Sequence, residues 1–317
     1  MNASPNGEPK ANILKQQEIV QMRIRTRKLA LAEGIMAGVL FGTAAIFIRV
    51  LQDFDAFSIA FWRLIIAGAS LAVALIVLGR SFNFGVVRKN LRGLCVLGLF
   101  LGLHFIFFAS AVKDTTILNA TVLVNTAPLF SVFVSSLFFK LKPSYIAVVG
   151  LTISFVGMCV IAYAEPSAAG AVPFSSSLKG NLEAVLAAVV ESVYLNYGRK
   201  VRSQMNVFSI MIPIYLFAAV IVGILSLPVT ATFILPTGVG IVLALVGLGV
   251  LPTAMAHTLY FSSLLDMKSF ETASMALLEP IGASILAVFL FQEIPALPFI
   301  LGAVLVLAGV FFVVRGR

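Results

Sequence analysis

The sequence predicts an all-α integral membrane protein of ten transmembrane helices arranged as two inverted five-helix repeats. Three observations carry that expectation. First, 60% of the 317 residues are hydrophobic and only 11% charged, against about 25% charged in an ordinary soluble domain. Second, the apolar residues collect in segments of roughly 20, the length that crosses a bilayer as a helix. Third, the second half of the chain repeats the pattern of the first. A mean hydropathy of +1.07 leaves too little polar surface to wet a globule. Soluble enzymes, nucleic-acid binders and disordered hubs are excluded.

Residues 1–28 are polar and end in Arg23, Arg25, Arg27 and Lys28. They are too long for a signal-peptide n-region, and no small-residue cleavage site follows the next apolar stretch. They read as a cytoplasmic tail, with an interfacial helix over residues 11–28. Apolar segments follow at 30–51, 57–79, 91–112, 115–139 and 144–164, then at 180–199, 207–228, 237–262, 269–291 and 297–314. A stretch rich in Pro, Ser, Ala and Gly separates the two sets. The predicted organisation is a tail (1–28), a first repeat (29–164), an extracytoplasmic linker (165–179) and a second repeat with a short cytoplasmic end (180–317).

Orientation follows from the basic residues. With the N-terminus inside, 18 of the 22 Lys and Arg fall on the cytoplasmic side, only Lys113 and Lys179 on the other, and Arg49 and Arg63 within spans. Such an excess sets topology. Both termini are expected in the cytoplasm and the protein in the cell membrane. The formal charge of +9 then reflects loops that face anionic headgroups, not nucleic acid.

An offset of 152 residues superposes Ser110 on Ser262, Asp114 on Asp266, Pro128 on Pro280, Gly150 on Gly302 and Gly157 on Gly309 without a gap. Near the start of each half, Phe57-Ser58-Ile59 recurs as Phe208-Ser209-Ile210. Apolar helices resemble one another by composition, but one register holding for Pro, Gly and Asp together is hard to reach by chance. Five spans per repeat, an odd number, force the second copy to insert upside down. Inverted repeats are characteristic of secondary transporters, with the site near the midplane between the halves.

The second half reads FETASMALLEPIGASILAVFLFQEIPALPFILGAVLVLAGVFFVV, and the first offers FSIAFWRLIIAGAS and LVNTAPLFSVF. This pattern resembles the EamA family of the drug/metabolite transporter superfamily: its Glu-Pro helix, Glu-containing turn, glycine-spaced last helix and Phe-x-x-Arg stretch. The resemblance spans residues 30–314. It implies a ten-helix carrier, most often an exporter of amino acids, related metabolites or toxic organic compounds. The two half-sites differ, with Ala127-Pro128 and Lys140-Leu141 in one and Glu279-Pro280 and Gln292-Glu293 in the other.

Motifs for metalloprotease, serine-hydrolase, nucleotide-binding and intramembrane-aspartate chemistry are missing from the sequence. No catalytic residue, cofactor or metal is expected. Without a nucleotide loop, the gradient of the solute or of a coupled ion must drive movement. Pro128 and Pro280 each remove a backbone donor and free the carbonyl four residues back. In a membrane such breaks are tolerated where protein buries them or a cavity is lined, so both are candidate hinges, or static kinks.

Charges inside spans are costly and face a partner or water. Arg49, near the end of its helix, can snorkel or pair with Asp53. Arg63 lies deeper, where it would either hold a substrate carboxylate or lock a helix by pairing with a Glu. Glu191 and Glu279 sit mid-span. A carboxyl group there suits reversible proton binding, which makes Glu279 the candidate for coupling a proton, unless Arg63 holds it as a structural clamp. Tyr194 and Gly198 continue the stripe of Glu191 at helical spacing. His104, Asn125 beside Thr121, and His257 beside Thr253 and Tyr260 are candidate cavity-lining groups, though each would also serve as a simple interhelical hydrogen bond. Trp62 would stack on a flat substrate or anchor the interface.

Gly34, Gly38 and Gly42, and again Gly98 and Gly102, run at four-residue spacing, which lets helices approach closely. Cys95 and Cys159 are expected to be buried structural thiols. The function expected from the residues is secondary transport of a small organic solute. The alternatives are a broad-specificity drug carrier and a membrane receptor or assembly subunit with no transport cycle.

Overall fold

The computed structural model describes residues 26–140, 142–164, 177–229, 236–283, 285 and 297–316. All regular structure among them is helical. The chain runs through α1 (Arg27–Phe41), α2 (Ala44–Val50), α3 (Ala56–Val77), α4 (Phe84–Lys89), α5 (Leu91–Asp114), α6 (Ile117–Val124) and α7 (Ala127–Phe138). It continues through α8 (Tyr145–Ala164), α9 (Leu178–Arg202), α10 (Val207–Ser226), α11 (Val239–Leu248), α12 (Thr258–Ser263), α13 (Ser269–Met275) and α14 (Leu297–Arg315). A π-helix over Gly249–His257 joins α11 to α12.

Seven stretches among the described residues are long and apolar enough to cross a membrane: 27–50, 56–77, 91–114, 119–138, 207–226, 239–263 and 297–315. The predicted segment 144–164 is α8, and 180–199 lies inside α9, whose last turn carries Arg199, Lys200 and Arg202. The segment at 269–291 is described only in part. Residues 1–25, most of the linker at 165–179 and the Gln292-Glu293 turn lie outside the described residues. Arg27 and Lys28, expected in the tail, form the first turn of α1 because Thr26 caps it, accepting from the Leu29 amide.

Local chemistry sets the other helix starts. Asp55, Asn83, Thr116, Ser177 and Asn206 each accept a hydrogen bond from the amide three residues on, which satisfies an end donor that has no partner within the helix. Asp55 and Asn206 occupy matching places, 151 residues apart.

Helices approach closely where glycines meet. On α8 and α14, a methyl at Gly150 would come within 2.6 Å of the Gly309 carbonyl, and one at Gly157 within 2.7 Å of the Gly302 carbonyl. Between these contacts the Ser154 hydroxyl donates to the Val306 carbonyl, 3.2 Å away. A second matched set lies deeper in the bundle. A methyl at Gly98 would stand 2.7 Å from the Phe217 Cβ and 3.3 Å from the Ile214 carbonyl. At Gly249 the corresponding atoms are the Ile66 Cβ at 2.6 Å and the Arg63 carbonyl at 3.3 Å. Gly249, Ile66 and Arg63 are the counterparts of Gly98, Phe217 and Ile214, each 151 positions away.

The register is therefore 151 through Gly98 and Gly249 but 152 from Ser110 and Ser262 onward. One extra residue enters the later helix between those points, and the π-helix lies there. An i→i+5 ladder takes in more residues per turn than the α-helix, so it absorbs the insertion without breaking the span. Pro252 lies inside this stretch.

Two sequence readings are revised. Cys159 is exposed and Cys95 half-buried, not buried thiols. On α8 the face bearing Gly150, Ser154 and Gly157 meets α14, and two residues beyond Gly157 turn Cys159 away from that contact. Pro128 does not kink the middle of a helix. The ladder ends at Val124, Asn125 and Thr126 intervene, and Pro128 sits in the first turn of α7, where a missing N–H costs nothing.

Candidate functional site

The break between α6 and α7 faces a second irregularity, the 3₁₀ turn Ala276–Leu278 that precedes Glu279. Here α1 comes close: its Gly34 and Gly38 abut Met275, and Gly42 lies against the Glu279 carbonyl. The absence of side chains at these three glycines lets the irregular backbone lie directly against them, and the Glu279 side chain lines the space within. Its Oε2 accepts a hydrogen bond of 2.8 Å from Asn125 Nδ2, which also donates to the Thr121 carbonyl.

These groups open onto a cavity lined by Arg63, His104, Asn125, Glu191, His257 and Glu279, with Phe41, Phe105 and Phe108 as the chief apolar walls. The space is about 30 Å³, room for a water molecule or two and too small for a metabolite. Arg63 is 1% exposed, Glu191 and Glu279 6% each. One guanidinium thus shares a dry enclosure with two carboxyl groups.

Arg63 comes from α3. Its Nε donates to Thr253 Oγ1 at 3.0 Å, and its guanidinium carbon lies 3.8 Å from the centre of the Phe105 ring, a cation–π contact. Thr253 Oγ1 in turn donates to the Leu248 carbonyl five residues back, within the π ladder, and the Tyr215 hydroxyl donates to the Thr253 carbonyl. The buried Nη1 of Arg63 bonds to none of the described residues. The pairing of Arg63 with Glu279 weighed from the sequence does not form: Thr253 and Phe105 hold the guanidinium instead.

His104 Nδ1 lies 3.1 Å from the Ala187 carbonyl; a neutral ring bonded there carries its proton on Nδ1 and leaves Nε2 as an acceptor. The same nitrogen is 3.8 Å from Glu191 Oε2. His257, on the π-helix, packs edge-on against Phe41 and Phe105, and its buried Nδ1 has no partner among the described residues.

Of the other predicted lining groups, Tyr260 and Tyr194 stand behind the cavity. The Tyr260 hydroxyl donates to the Ala273 carbonyl, and its ring meets Phe41. Tyr194 packs on Phe261 with its hydroxyl toward Met211 Sδ. Pro128 and Pro280 flank the two breaks without lining the space. Trp62 packs edge-on against Phe61, and Arg49 donates to the Thr115 carbonyl.

Sequence reasoning missed Phe105, Phe41 and Tyr215. Phe105 lay in view: it continues the Gly98–Gly102 face by three residues. The π-helix left only a one-residue change of register.

Polar contacts tie both ends of the bundle. At the end where α1 begins, Arg27 pairs with the buried Glu271 at 3.0 Å and donates to the Val314 carbonyl. Glu271 also accepts from the Lys268 amide, and Ser262 donates to Glu33. At the other end Lys113 Nζ donates to the carbonyls of Gln52 and Phe54, Ser177 to that of Asp114, and Lys179 pairs with Asp114. Among the described residues no group of three or more His, Cys, Asp or Glu is placed to hold a metal ion.

Comparison with known proteins agrees with this architecture. The model of the EamA-like transporter family matches residues 29–163 and again 178–315. The chain is 30% identical over 298 residues to the uncharacterized transporter YdfC of Bacillus subtilis, covering 92% of each. It is 27% identical over 268 residues to an uncharacterized transporter of Archaeoglobus fulgidus, covering 82% of this chain and 89% of that one. A solved structure titled only as a crystal structure of a protein shares the fold, with a TM-score of 0.74 at 21% identity over 90% of this chain and 96% of that one. A chain matched twice by one family model, with its buried charges gathered between the matched halves, belongs to the EamA-like transporter family of the drug/metabolite transporter superfamily.

Proposed function

We propose that the protein is a secondary transporter of ten spans in two inverted repeats, which moves a small zwitterionic metabolite, such as an amino acid, by alternating access. The observation that carries this is the mixed-charge enclosure: Arg63, whose Nη1 has no partner among the described residues, lines one cavity with Glu191 and Glu279. A solute carboxylate would take the guanidinium and a solute ammonium the carboxyl groups. The matched glycine contacts support the inverted arrangement, since each residue of one set has its counterpart in the other. The small cavity and the tied ends fit a closed state of the cycle.

Glu279 is the proposed proton carrier, because among the described residues its carboxyl group accepts from a neutral amide and pairs with no cation. Pro128 and Pro280 are the proposed hinges, placed beside the two breaks in the lining. Export, both termini in the cytoplasm and residence in the cell membrane complete the reading, supported by the family and by the basic loops. Counterflow in liposomes tests it. Purified protein loaded with unlabelled amino acid should accumulate radiolabelled amino acid saturably, and Arg63→Gln should abolish this. Vesicles that accumulate no amino acid above the protein-free background would overturn the assignment.

A further inference from the structure

A second cavity lies at the end of the bundle where α5 begins and α9 finishes. It is larger than the central one, about 460 Å³. Arg88 and Lys89 from α4, Arg92 from α5 and Lys200 from α9 line it, and no acidic residue among the described ones does. Loops rich in basic residues set topology in any multi-pass protein. That rule does not require four cations from three elements to converge on one hollow.

The backbone adds to the field. Asn90 precedes α5 without capping it, since its amide nitrogen donates back to the Val86 carbonyl. The first amides of a 24-residue helix therefore face the basic cluster with their positive end. The Tyr197 ring lines the same wall, its hydroxyl 3.4 Å from where a methyl at Gly93 would stand.

The surroundings are apolar. Phe84 on α4 is 77% exposed and Leu91 45%, while Phe82, Val86 and Val87 pack into the core. A short helix anchored by one face, with an exposed Phe and two cations on the rest, suits the membrane interface.

We propose that this cavity binds the phosphate-bearing headgroup of an anionic phospholipid, with Arg88, Arg92 and Lys200 as the phosphate ligands and Phe84 and Leu91 against the acyl chains. Arg is suited to bidentate contact with phosphate. The exposed apolar pair favours a lipid over free phosphate, which needs no such neighbours. The site is independent of the transport reading, because none of its residues lines the central cavity.

The test uses full-length protein in phosphatidylcholine nanodiscs doped with phosphatidylglycerol, with retained lipid counted by native mass spectrometry. A basic residue near an anionic surface contributes roughly a fivefold change in affinity, so R88Q/R92Q/K200Q should retain phosphatidylglycerol on the order of 100-fold more weakly. The control K140Q/K142Q removes two basic residues outside the cavity and should retain phosphatidylglycerol much more tightly than the triple variant, having lost surface attraction alone. A photoactivatable phosphatidylglycerol on the wild-type protein, which needs no variant to fold, should crosslink within residues 84–93 and 197–204. Equal retention by the triple variant, equal loss in the control, or crosslinks confined to other segments would each overturn the site. Displacement of the lipid by micromolar inorganic phosphate would reassign it to a soluble anion and overturn the lipid proposal.

Discussion

Ser154 donates its hydroxyl to the carbonyl of Val306, 152 residues along the chain. Under the repeat offset Val306 is the counterpart of Ser154 itself. A position that touches its own counterpart lies where a twofold axis relating two halves would pass. The glycine contacts to either side swap into one another about the same point: Gly150 on Gly309, Gly302 on Gly157.

Those contacts make the symmetry testable. Gly150→Val and Gly302→Val each push a side chain into a carbonyl of the facing helix, 2.6 and 2.7 Å from the added carbon. Overpacking of this kind costs about 1–3 kcal/mol. Thermal unfolding in detergent should show losses of similar size for the two variants. A loss at one position and none at the other would mean that the helices are not related as proposed.

Arg63 uses its planar fork as well as its charge, holding Thr253 while Nη1 bonds to none of the described residues. Arg63→Lys keeps the charge but has a single donor centre for both partners. Losing one hydrogen bond to a charged group is worth about 1.5–3 kcal/mol, so the half-saturation concentration in counterflow should rise by roughly tenfold or more. Near-wild-type saturation would remove Arg63 from the solute site.

Glu279→Gln separates proton coupling from structure. Gln keeps an oxygen for Asn125, and no cation is orphaned, because Arg63 is held by Thr253 and Phe105. The melting temperature should therefore change little and exchange should continue. Accumulation driven by a pH gradient should disappear, and the exchange rate should lose its dependence on pH. Unchanged gradient-driven accumulation would move the coupling role to Glu191.

The π-helix offers a sharper test. Deleting Val250 would let Gly249–His257 rewind as an α-helix in the register of the first repeat. Residues beyond the stretch keep their faces, because the π ladder takes up the extra residue, while Thr253 within it shifts relative to Arg63, which it holds. The variant should remain folded by circular dichroism, since the span stays apolar, yet fail in counterflow. Full activity in the deletion would show that the extra residue has no part in the site.

Much of this architecture was legible because a bilayer imposes long apolar segments and makes each interruption conspicuous. Arg63, Glu191 and Glu279 stood out as charges in apolar runs, and the structure gathers them around one cavity. What stayed hidden depends on which way a side chain faces. Cys159 looked buried because its whole segment is apolar, and only the α8–α14 contact reveals that it points away. The choice of Thr253 over Glu279 as the partner of Arg63 is likewise a matter of geometry between helices, where residue type gives no guidance. Tyr194 and Tyr260 shared a stripe with lining groups, but at a depth the spacing alone does not resolve.

The extra residue of the π-helix also bears on energetics. Two halves that were perfect copies would exchange conformations at no net cost, and the empty carrier would face each side half the time. An insertion in one half alone removes that degeneracy. The two end states of the proposed cycle then differ in free energy before any solute binds, and a difference of about 1.4 kcal/mol already shifts their populations tenfold. In the proposed cycle this one helix, together with the unlike half-sites, sets a resting orientation, and the driving gradient works against that bias on one half of every turn.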